Sequence, residues 1–403
     1  MFFILLVFFI NGFSESYNSH NITNLAYVLA LGIDVGEKSA LKVTAQFSKT
    51  AIFSSSSGSS SDDNSQIVLV SGEADSIFSA INLINSYIGK EINLSQCSLI
   101  VFSEDFAKKG ISSQIYSLVN NEEIRPSNNI IVSKCNAYEY LSNIKPNLEK
   151  LTVHYYDTFS LTNKFTGYFS NITLSNLYNH LTCKNCSSTA ILGGLDVSAR
   201  ENENSEDITT NPENLVAGSS SIEGKRGTEN IGIAVFKNDK YCGELTATET
   251  ICHLLIQNEI EDCIISVDNP FIEGKKTELN LYPTKKTKID VKIVDDIPYI
   301  TVQVFAEADI LTVDESINYT LNENLEKFSE ASQNYLKQNF EKYFEKISKE
   351  YSTDIDSFSH KALSNFSTTT EWNEFNWKDK FSNSKFNISV NINVLSSLLI
   401  TKS

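Results

Sequence analysis

Alternating apolar residues, a turn and a second short strand predict a β-hairpin in the middle of the chain. Ile231, Ile233 and Val235 recur at every second position, which is typical of a β-strand. Asn238-Asp239 favours a tight turn because both residues tolerate left-handed backbone and form local hydrogen bonds. The segment Tyr241–Leu245 then predicts the returning strand.

The residues directly after this hairpin predict a capped amphipathic helix. Thr246-Ala-Thr-Glu249 has the spacing of a capping box, in which the threonine hydroxyl and the glutamate carboxylate bond free backbone amides. We therefore assign Glu249 to the cap and not to catalysis. His253 lies off the apolar face and is predicted to be a surface histidine rather than a general base. The apolar face consists of Ala247, Ile251, Leu254 and Leu255.

Strand-like and helix-like segments alternate through the first third of the chain. Leu25–Asp34, Leu41–Phe47 and Cys97–Phe102 have the apolar character of strands. Glu73–Ile88 carries isoleucines at helical spacing. Strands that alternate with helices need crossover connections, which indicates an α/β region with a partly parallel sheet. No G-x-G-x-x-G or G-x-x-x-x-G-K-[ST] motif follows these strands, so nothing supports nucleotide chemistry.

The last third of the chain predicts a different arrangement. Residues 289–293 and 300–304 each alternate with period two, which predicts two antiparallel strands. Asn322–Ser352 predicts a helix of about 45 Å whose aromatic face packs on this sheet. Phe386–Val394 alternates apolar with polar side chains and predicts a half-buried strand.

These patterns predict a mixed α/β (α+β), multi-domain fold, with an N-terminal α/β region and a C-terminal domain of antiparallel sheet with a long helix. Ser54–Gln66 has no apolar side chain and is predicted to be a solvated loop, as is the basic stretch Lys285–Lys288. The predicted divisions are a signal-like apolar N-terminus at 1–20, an N-terminal α/β domain at 21–148, a second small domain or extension at 149–199, a linker at 200–228 and a C-terminal α+β domain at 229–403.

The charge balance argues against two classes of partner. The chain has 403 residues and a net charge of −17. Nucleic-acid phosphates and anionic lipid headgroups both repel such a surface. We therefore predict no nucleic-acid binding.

No constellation of residues predicts an active site. The five histidines are scattered, without H-x-x-x-H or H-E-x-x-H spacing, and no G-x-S-x-G elbow marks a serine nucleophile. The close pair Cys183-Lys-Asn-Cys186 predicts either a loop disulfide or two free thiols. A zinc site needs a second pair, and the spacing of Cys242, Cys252 and Cys263 does not provide one. We predict no catalytic, cofactor-binding or metal-ligating residues.

A family resemblance runs through most of the chain. The run Ile233–Thr250, I-A-V-F-K-x-D-K-x-x-G-x-L-x-x-x-E-T, resembles the best-marked segment of the Ger(x)C family, the C subunits of spore germinant receptors. Leu25–Asp34 and Lys42–Phe47 resemble the first two strands of that family. Further segments fall in the family's order, namely Ser71–Leu83, Leu99–Gly110 and Asn121–Tyr140.

The resemblance implies a non-enzymatic receptor component with a mixed α/β, multi-domain fold. It implies an extracytoplasmic subunit on the outer face of the spore inner membrane, acting with two membrane-embedded partners, the A- and B-type receptor subunits. Such receptors respond to small nutrients and start germination. Whether this subunit touches the nutrient stays open.

The N-terminus departs from the family pattern. Met1–Ile10 is almost wholly apolar, like the core of a secretory signal, but ten residues are too few to cross a bilayer, which takes about 20. The family carries a lipid-anchor cysteine after this segment, whereas Gly12–Ser16 contains none and the first cysteine is Cys97. Either the gene start is displaced, or partners or an uncleaved apolar end hold the exported protein at the membrane.

Two other functions stay open at this point. A stand-alone secreted ligand-binding protein would need a deep pocket lined by aromatic residues such as Tyr155, Tyr156 and Phe159. A secreted hydrolase would need two carboxylates facing each other about 5 to 9 Å apart in a cleft.

Overall fold

The structure is a computed structural model that describes residues 24–48, 67–145, 152–197, 208–222, 224 and 226–395. The signal-like segment at 1–20 and the loop Ser54–Gln66 lie outside the described residues, as do parts of the predicted linker at 200–228. Among the helices that the structure describes, none combines the length and apolar character needed to cross a membrane.

Nine strands form the larger sheet, which we call sheet A. They are β1 (Leu25–Val35), β2 (Leu41–Ser48), β3 (Ile67–Ala74), β4 (Glu91–Asn93), β5 (Leu99–Ser103), β6 (Asn129–Ser133), β7 (Ser188–Leu195), β8 (Thr228–Lys237) and β9 (Lys240–Leu245). Their order is β3-β2-β1-β5-β6-β7-β8-β9, with β4 beside β1. The centre from β1 through β5 and β6 to β7 is parallel, which confirms the predicted partly parallel sheet.

Helices cover both faces of sheet A. They are α1 (Ile77–Ile88), α2 (Glu104–Lys109), α3 (Ser112–Val119), α4 (Ala137–Asn143), α5 (Thr152–Asp157), α6 (Phe159–Thr166) and α7 (Leu174–Thr182). Alternate residues of β5 show the two layers, because Ile100 and Phe102 join one hydrophobic core and Leu99 and Val101 join another. Burial on both faces explains the continuous apolar run at Leu99–Phe102.

The second sheet, sheet B, lies in the last third of the chain. Its strands, in spatial order, are β10 (Cys263–Asp268), β11 (Lys276–Val294), β12 (Ile297–Ile310) and β13 (Lys385–Leu395). The associated helices are α8 (Ala247–Gln257), α9 (Asn322–Glu345) with a π-helical end at Lys346–Glu350, α10 (Phe358–Ala362) with a 3₁₀ turn at Leu363–Asn365, α11 (Thr369–Phe375) and α12 (Trp377–Phe381). The two-sheet, two-domain architecture confirms the predicted mixed α/β fold class.

One pairing in sheet B differs from the predicted antiparallel arrangement. β13 runs parallel to β12, with Ile300 opposite Phe386 and Val302 opposite Ile388. The connection from 311 to 384 explains this, because its helices return the chain to the starting end of β12. β13 is half buried as predicted, with Ile388 and Val390 inward and Asn387 outward.

The basic stretch Lys285–Lys288 lies within β11 rather than in a loop, so that prediction is wrong. Its pairing with β12 shifts register twice, between Pro283 and Lys285 and between Lys285 and Lys288. β10 pairs with β11 only as far as Leu281, so β11 has an open side at these lysines, where long side chains keep their charged heads in water. Lysine-rich composition therefore did not distinguish a bulged strand from a loop.

The predicted hairpin is confirmed as β8–β9, and it joins the two domains. β8 pairs with β7 and so extends sheet A. Its side chains are divided between two cores, because Ile233 and Val235 pack with sheet B whereas Ala234 and Phe236 pack within sheet A. The described residues of the predicted 149–199 segment also pack on or within sheet A. The domain bounds themselves stay predictions.

Candidate functional site

A polar cleft opens where sheet A meets the helices that precede β13. Its larger cavity has a volume of about 480 Å³, and a neighbouring cavity of about 270 Å³ shares Asn238 and Lys378 with it. We call the two cavities together the interdomain cleft. Its walls are the β8–β9 turn at Lys237–Asn238, the segment Ser352–Asp354, the start of α12 at Asn376–Asp379, and the loop after α7 that carries Cys183 and Cys186.

The β8–β9 turn ties three segments together at the cleft. Asn238 has φ 58°, the left-handed conformation that the turn requires. Its Oδ1 atom accepts a hydrogen bond of 3.1 Å from Lys378 Nζ on α12. The carboxylate of Asp239 accepts a hydrogen bond of 2.7 Å from Ser112 Oγ at the start of α3. Burial lowers the pKa of Lys378, so its amine sits in a less polar setting than a surface lysine.

Asp354 is a buried carboxyl at the cleft. It accepts hydrogen bonds from the backbone amides of Phe358 at 3.0 Å and Ser359 at 2.8 Å, and from Trp377 Nε1 at 2.9 Å. Burial, assisted by the nearby Asp356, raises the pKa of Asp354 to about 7, against the opposing effect of these donors. The group therefore titrates near neutral pH while holding the first turn of α10.

Asp354→Asn is expected to change how stability depends on pH. The folded chain holds the Asp354 proton more tightly than the unfolded chain does. Its contribution to stability is therefore present at low pH and is lost as pH rises through the window from 3.8 to about 7. Within this window the free energy of unfolding of the wild type should fall, relative to the variant, by up to about 1.4 kcal/mol per pH unit. Urea unfolding at several pH values measures both slopes.

Asp290→Asn is the matched control for this measurement. The Asp290 side chain is 67% exposed on β11, so its replacement should leave the slope unchanged. Parallel slopes for the wild type and Asp354→Asn would contradict the role given to Asp354.

The Cys183–Cys186 pair forms a disulfide at one end of the cleft. Of the two states predicted for this pair, the structure therefore contains the loop disulfide. His360 on α10 approaches the pair, with Nε2 at 3.5 Å from Cys186 Sγ. His180, which lines the same cavity, has its pKa lowered chiefly by burial and secondarily by His360. Sequence spacing gave no signal for His360, which is 174 residues from Cys186.

His253 is buried, so the prediction of a surface histidine is wrong. Its Nδ1 atom lies 2.7 Å from Asp356 Oδ1 and 3.3 Å from the Tyr343 hydroxyl, and the same hydroxyl donates to Asp356 Oδ2 at 2.7 Å. The His253 and Asp356 side chains are 4% and 0% exposed. α8 is enclosed on almost every side, and a single apolar stripe did not predict this. The acid–base pair is thus part of the packing between α8 and α9.

Glu249 serves as the predicted cap. Its Oε2 atom accepts a hydrogen bond of 2.8 Å from the Thr246 amide, and the Thr246 hydroxyl accepts one from the Glu249 amide. Lys346 Nζ lies 2.8 Å from the same carboxylate oxygen and links α8 to the end of α9. The capping box is confirmed, and the Glu249 carboxylate is engaged in hydrogen bonds with the Thr246 amide and Lys346.

The aromatic residues considered as a ligand pocket pack into a core instead. Tyr156 and Phe159 are 0% and 2% exposed and belong to one hydrophobic cluster on sheet A. The Tyr156 hydroxyl donates to Gln46 Oε1 at 2.5 Å. Tyr155 packs against the same cluster, with the Arg226 guanidinium 5.2 Å from its ring centre. These side chains pack in the core on sheet A and stabilise the fold. This arrangement does not favour a ligand-binding pocket lined by them.

The described residues define a two-domain, mixed α/β protein with a polar cleft at the domain junction and one buried acid–base pair, His253–Asp356, engaged in packing. Residues 18–195 match the family model "Spore germination protein N-terminal domain", and residues 231–397 match "Spore germination B3/ GerAC like, C-terminal". The chain belongs to the Ger(x)C family of spore germination proteins.

A solved structure supports the same fold. The "Crystal Structure of the GerBC protein" is similar with a TM-score of 0.53 at 15% sequence identity, over 91% of this chain and 96% of that chain. At this identity the likeness concerns the fold alone. No curated protein sequence matches the chain significantly.

Proposed function

We propose that this protein is the extracytoplasmic C subunit of a nutrient germinant receptor on the outer face of the spore inner membrane. The observation that carries this proposal is the pair of family matches, which lie in order along the chain and together cover residues 18–195 and 231–397. In this role the subunit acts without catalysis and contributes to germination by assembling with membrane-embedded A- and B-type subunits.

The geometry of the cleft favours this role over a secreted hydrolase. The cleft carries the carboxylates of Asp239, Asp354 and Asp379. Three donors hold Asp354. Asp239 accepts a hydrogen bond from Ser112, and Asp379 accepts one from Asn376. A glycoside hydrolase needs one carboxylic acid free to protonate the leaving group and one carboxylate free to attack the sugar or activate water. All three carboxylates are instead engaged in hydrogen bonds that hold neighbouring segments in place.

We propose that the C-terminal domain docks to a partner subunit through β13. This strand is at the edge of sheet B, and side chains of α9 already bond part of its outer backbone. Gln333 Nε2 donates to the Ile392 carbonyl at 3.1 Å, and the Ser329 hydroxyl accepts from the Val394 amide at 2.9 Å. We therefore place the docking surface on the outward side chains of β13 and not on its backbone. Its outward side chains form an exposed polar row, which consists of Asn387, Ser389, Asn391 and Asn393. Exposed polar rows of this kind suit a partner that recognises amide groups and not a purely apolar surface.

The docking proposal is tested by adding charge to this row. Asn387→Lys/Asn391→Lys is expected to reduce co-purification with the membrane-embedded subunits by at least about tenfold and to slow nutrient germination, because two buried, unpaired charges cost several kcal/mol. Asn82→Lys/Ser86→Lys, on the exposed face of α1, is the matched control and should assemble normally.

Two different results test docking through β13 and the receptor role separately. A β13 variant that assembles and germinates like the wild type would contradict docking through β13. A deletion strain that germinates normally with every nutrient tested would contradict the receptor role itself.

A further inference from the structure

Cysteine and histidine side chains from both domains converge at one end of the interdomain cleft. Cys183 directly follows α7, and Cys186 lies two residues before β7, so both belong to the sheet A side. His360 lies on α10, in the connection between β12 and β13. The two sulfurs and one ring nitrogen all lie within 4.8 Å of one another.

The distances suit a tetrahedral transition-metal site. Zinc binds thiolate at about 2.3 Å and imidazole at about 2.0–2.1 Å, so sulfur and nitrogen ligands of one ion lie roughly 3.6 Å apart. The observed separation between Cys186 Sγ and His360 Nε2 is 3.5 Å. The C-x-x-C spacing is also usual for two cysteines that share an ion. In the disulfide the sulfurs are bonded to each other, and a metal needs them as thiolates.

The surroundings position the histidine and leave room for a further ligand. Asp354 accepts hydrogen bonds from the amides of Phe358 and Ser359, which fixes the first turn of α10 directly before His360. Both cysteines border the cavity of about 270 Å³, which His180 also lines. A zinc site with three protein ligands takes a water molecule in its fourth position, and this cavity has the volume to admit one.

We propose that the reduced Cys183–Cys186 pair and His360 together bind one divalent transition-metal ion such as Zn²⁺. Exchange with an external disulfide, which takes up the two electrons and is reduced to thiols, oxidises the pair to its own disulfide and releases the ion. A dithiol reductant gives two electrons and two protons to the protein disulfide and is itself oxidised to a disulfide. The metal ion then displaces one proton from each thiol and accepts the lone pair of the neutral His360 ring. Bound metal links the loop after α7 to α10. The domain junction therefore has two chemical states, one with the metal bound to thiolates and one with the disulfide and no metal.

Cobalt titration of the full chain tests this site. The protein is reduced with a phosphine, freed of reductant without air, and titrated with Co²⁺ alongside an oxidised sample. The reduced chain should bind one Co²⁺ with a thiolate-to-cobalt charge-transfer band, which added Zn²⁺ removes. The oxidised chain should show no such band and bind at least about tenfold more weakly. A reduced wild-type chain without this band would overturn the proposal.

Three single substitutions separate a three-ligand site from a thiol pair. His360→Ala should weaken metal binding roughly tenfold or more, since even partners outside the coordination shell contribute 10–100-fold. His154→Ala removes an exposed histidine on α5 and should leave the affinity unchanged. Equal affinities for the two variants would overturn the role of His360. Cys183→Ser removes one of the two thiolates and should lower the intensity of the charge-transfer band, whereas an unchanged band would place the metal at other cysteines. Circular dichroism of each variant establishes that it is folded.

Discussion

Replacing Asp356 with alanine is expected to lower the free energy of unfolding by about 3 to 5 kcal/mol. The Asp356 side chain is 0% exposed and accepts hydrogen bonds from His253 at 2.7 Å and from Tyr343 at 2.7 Å. Its removal leaves both partners buried without their acceptor, and an unsatisfied buried polar group costs about 1–3 kcal/mol each. Urea unfolding followed by tyrosine and tryptophan fluorescence measures the change.

Asp290→Ala is the control, because this exposed aspartate should contribute less than about 0.5 kcal/mol. A double-mutant cycle between Asp356→Ala and Tyr343→Phe adds a sharper criterion. The two changes should be non-additive, since they remove members of one hydrogen-bonded network. A cost below about 1 kcal/mol for Asp356→Ala, or strict additivity in the cycle, would contradict the network.

Trp377→Ala is expected to cost about 3 to 5 kcal/mol. Trp377 is 0% exposed, and its ring centre lies 5.9 Å from those of Trp372 and Phe381. Truncation therefore leaves a cavity in an aromatic cluster. It also removes the donor that Trp377 Nε1 provides to Asp354 at 2.9 Å.

Trp377→Phe separates these two contributions. It retains an aromatic ring but loses the indole donor, so it should cost about 1–3 kcal/mol, less than the alanine variant. Phe165→Ala is the control, since that side chain is 56% exposed and its loss should have little effect. Equal stability of Trp377→Ala and the wild type in urea unfolding would show that the cluster does not hold the cleft together.

Features that depend on neighbours in sequence could be predicted from the sequence. The capping box at Thr246 and Glu249 needs a spacing of three residues, and it forms as predicted. The helix from Asn322 and the half-buried strand β13 follow from periodicities of 3.6 and 2 residues. The alternation of strands and helices before residue 145 predicted the parallel pairing of β1, β5 and β6 through the rule for crossover connections, whereas β7 came from the segment predicted as a separate small domain or extension.

Features that depend on the packing of distant segments could not be predicted in this way. His253 is buried because α9 and the segment carrying Asp356 pack against a second side of α8. The apolar face of α8 in the sequence predicts only its first packing contact. His360 meets Cys186 because the connection between β12 and β13 brings α10 back to the loop after α7. The parallel pairing of β13 also depends on this connection, because its helices determine at which end of β12 the strand β13 begins.

The role as a receptor subunit is tested most directly by fractionating dormant spores and detecting this protein in each fraction. The measurement is repeated in a strain that lacks the membrane-embedded partner subunit. We expect recovery in the inner-membrane fraction of wild-type spores and loss from that fraction when the partner is absent. Recovery that is independent of the partner would contradict anchoring by assembly. Absence of the protein from dormant spores would contradict the receptor role altogether.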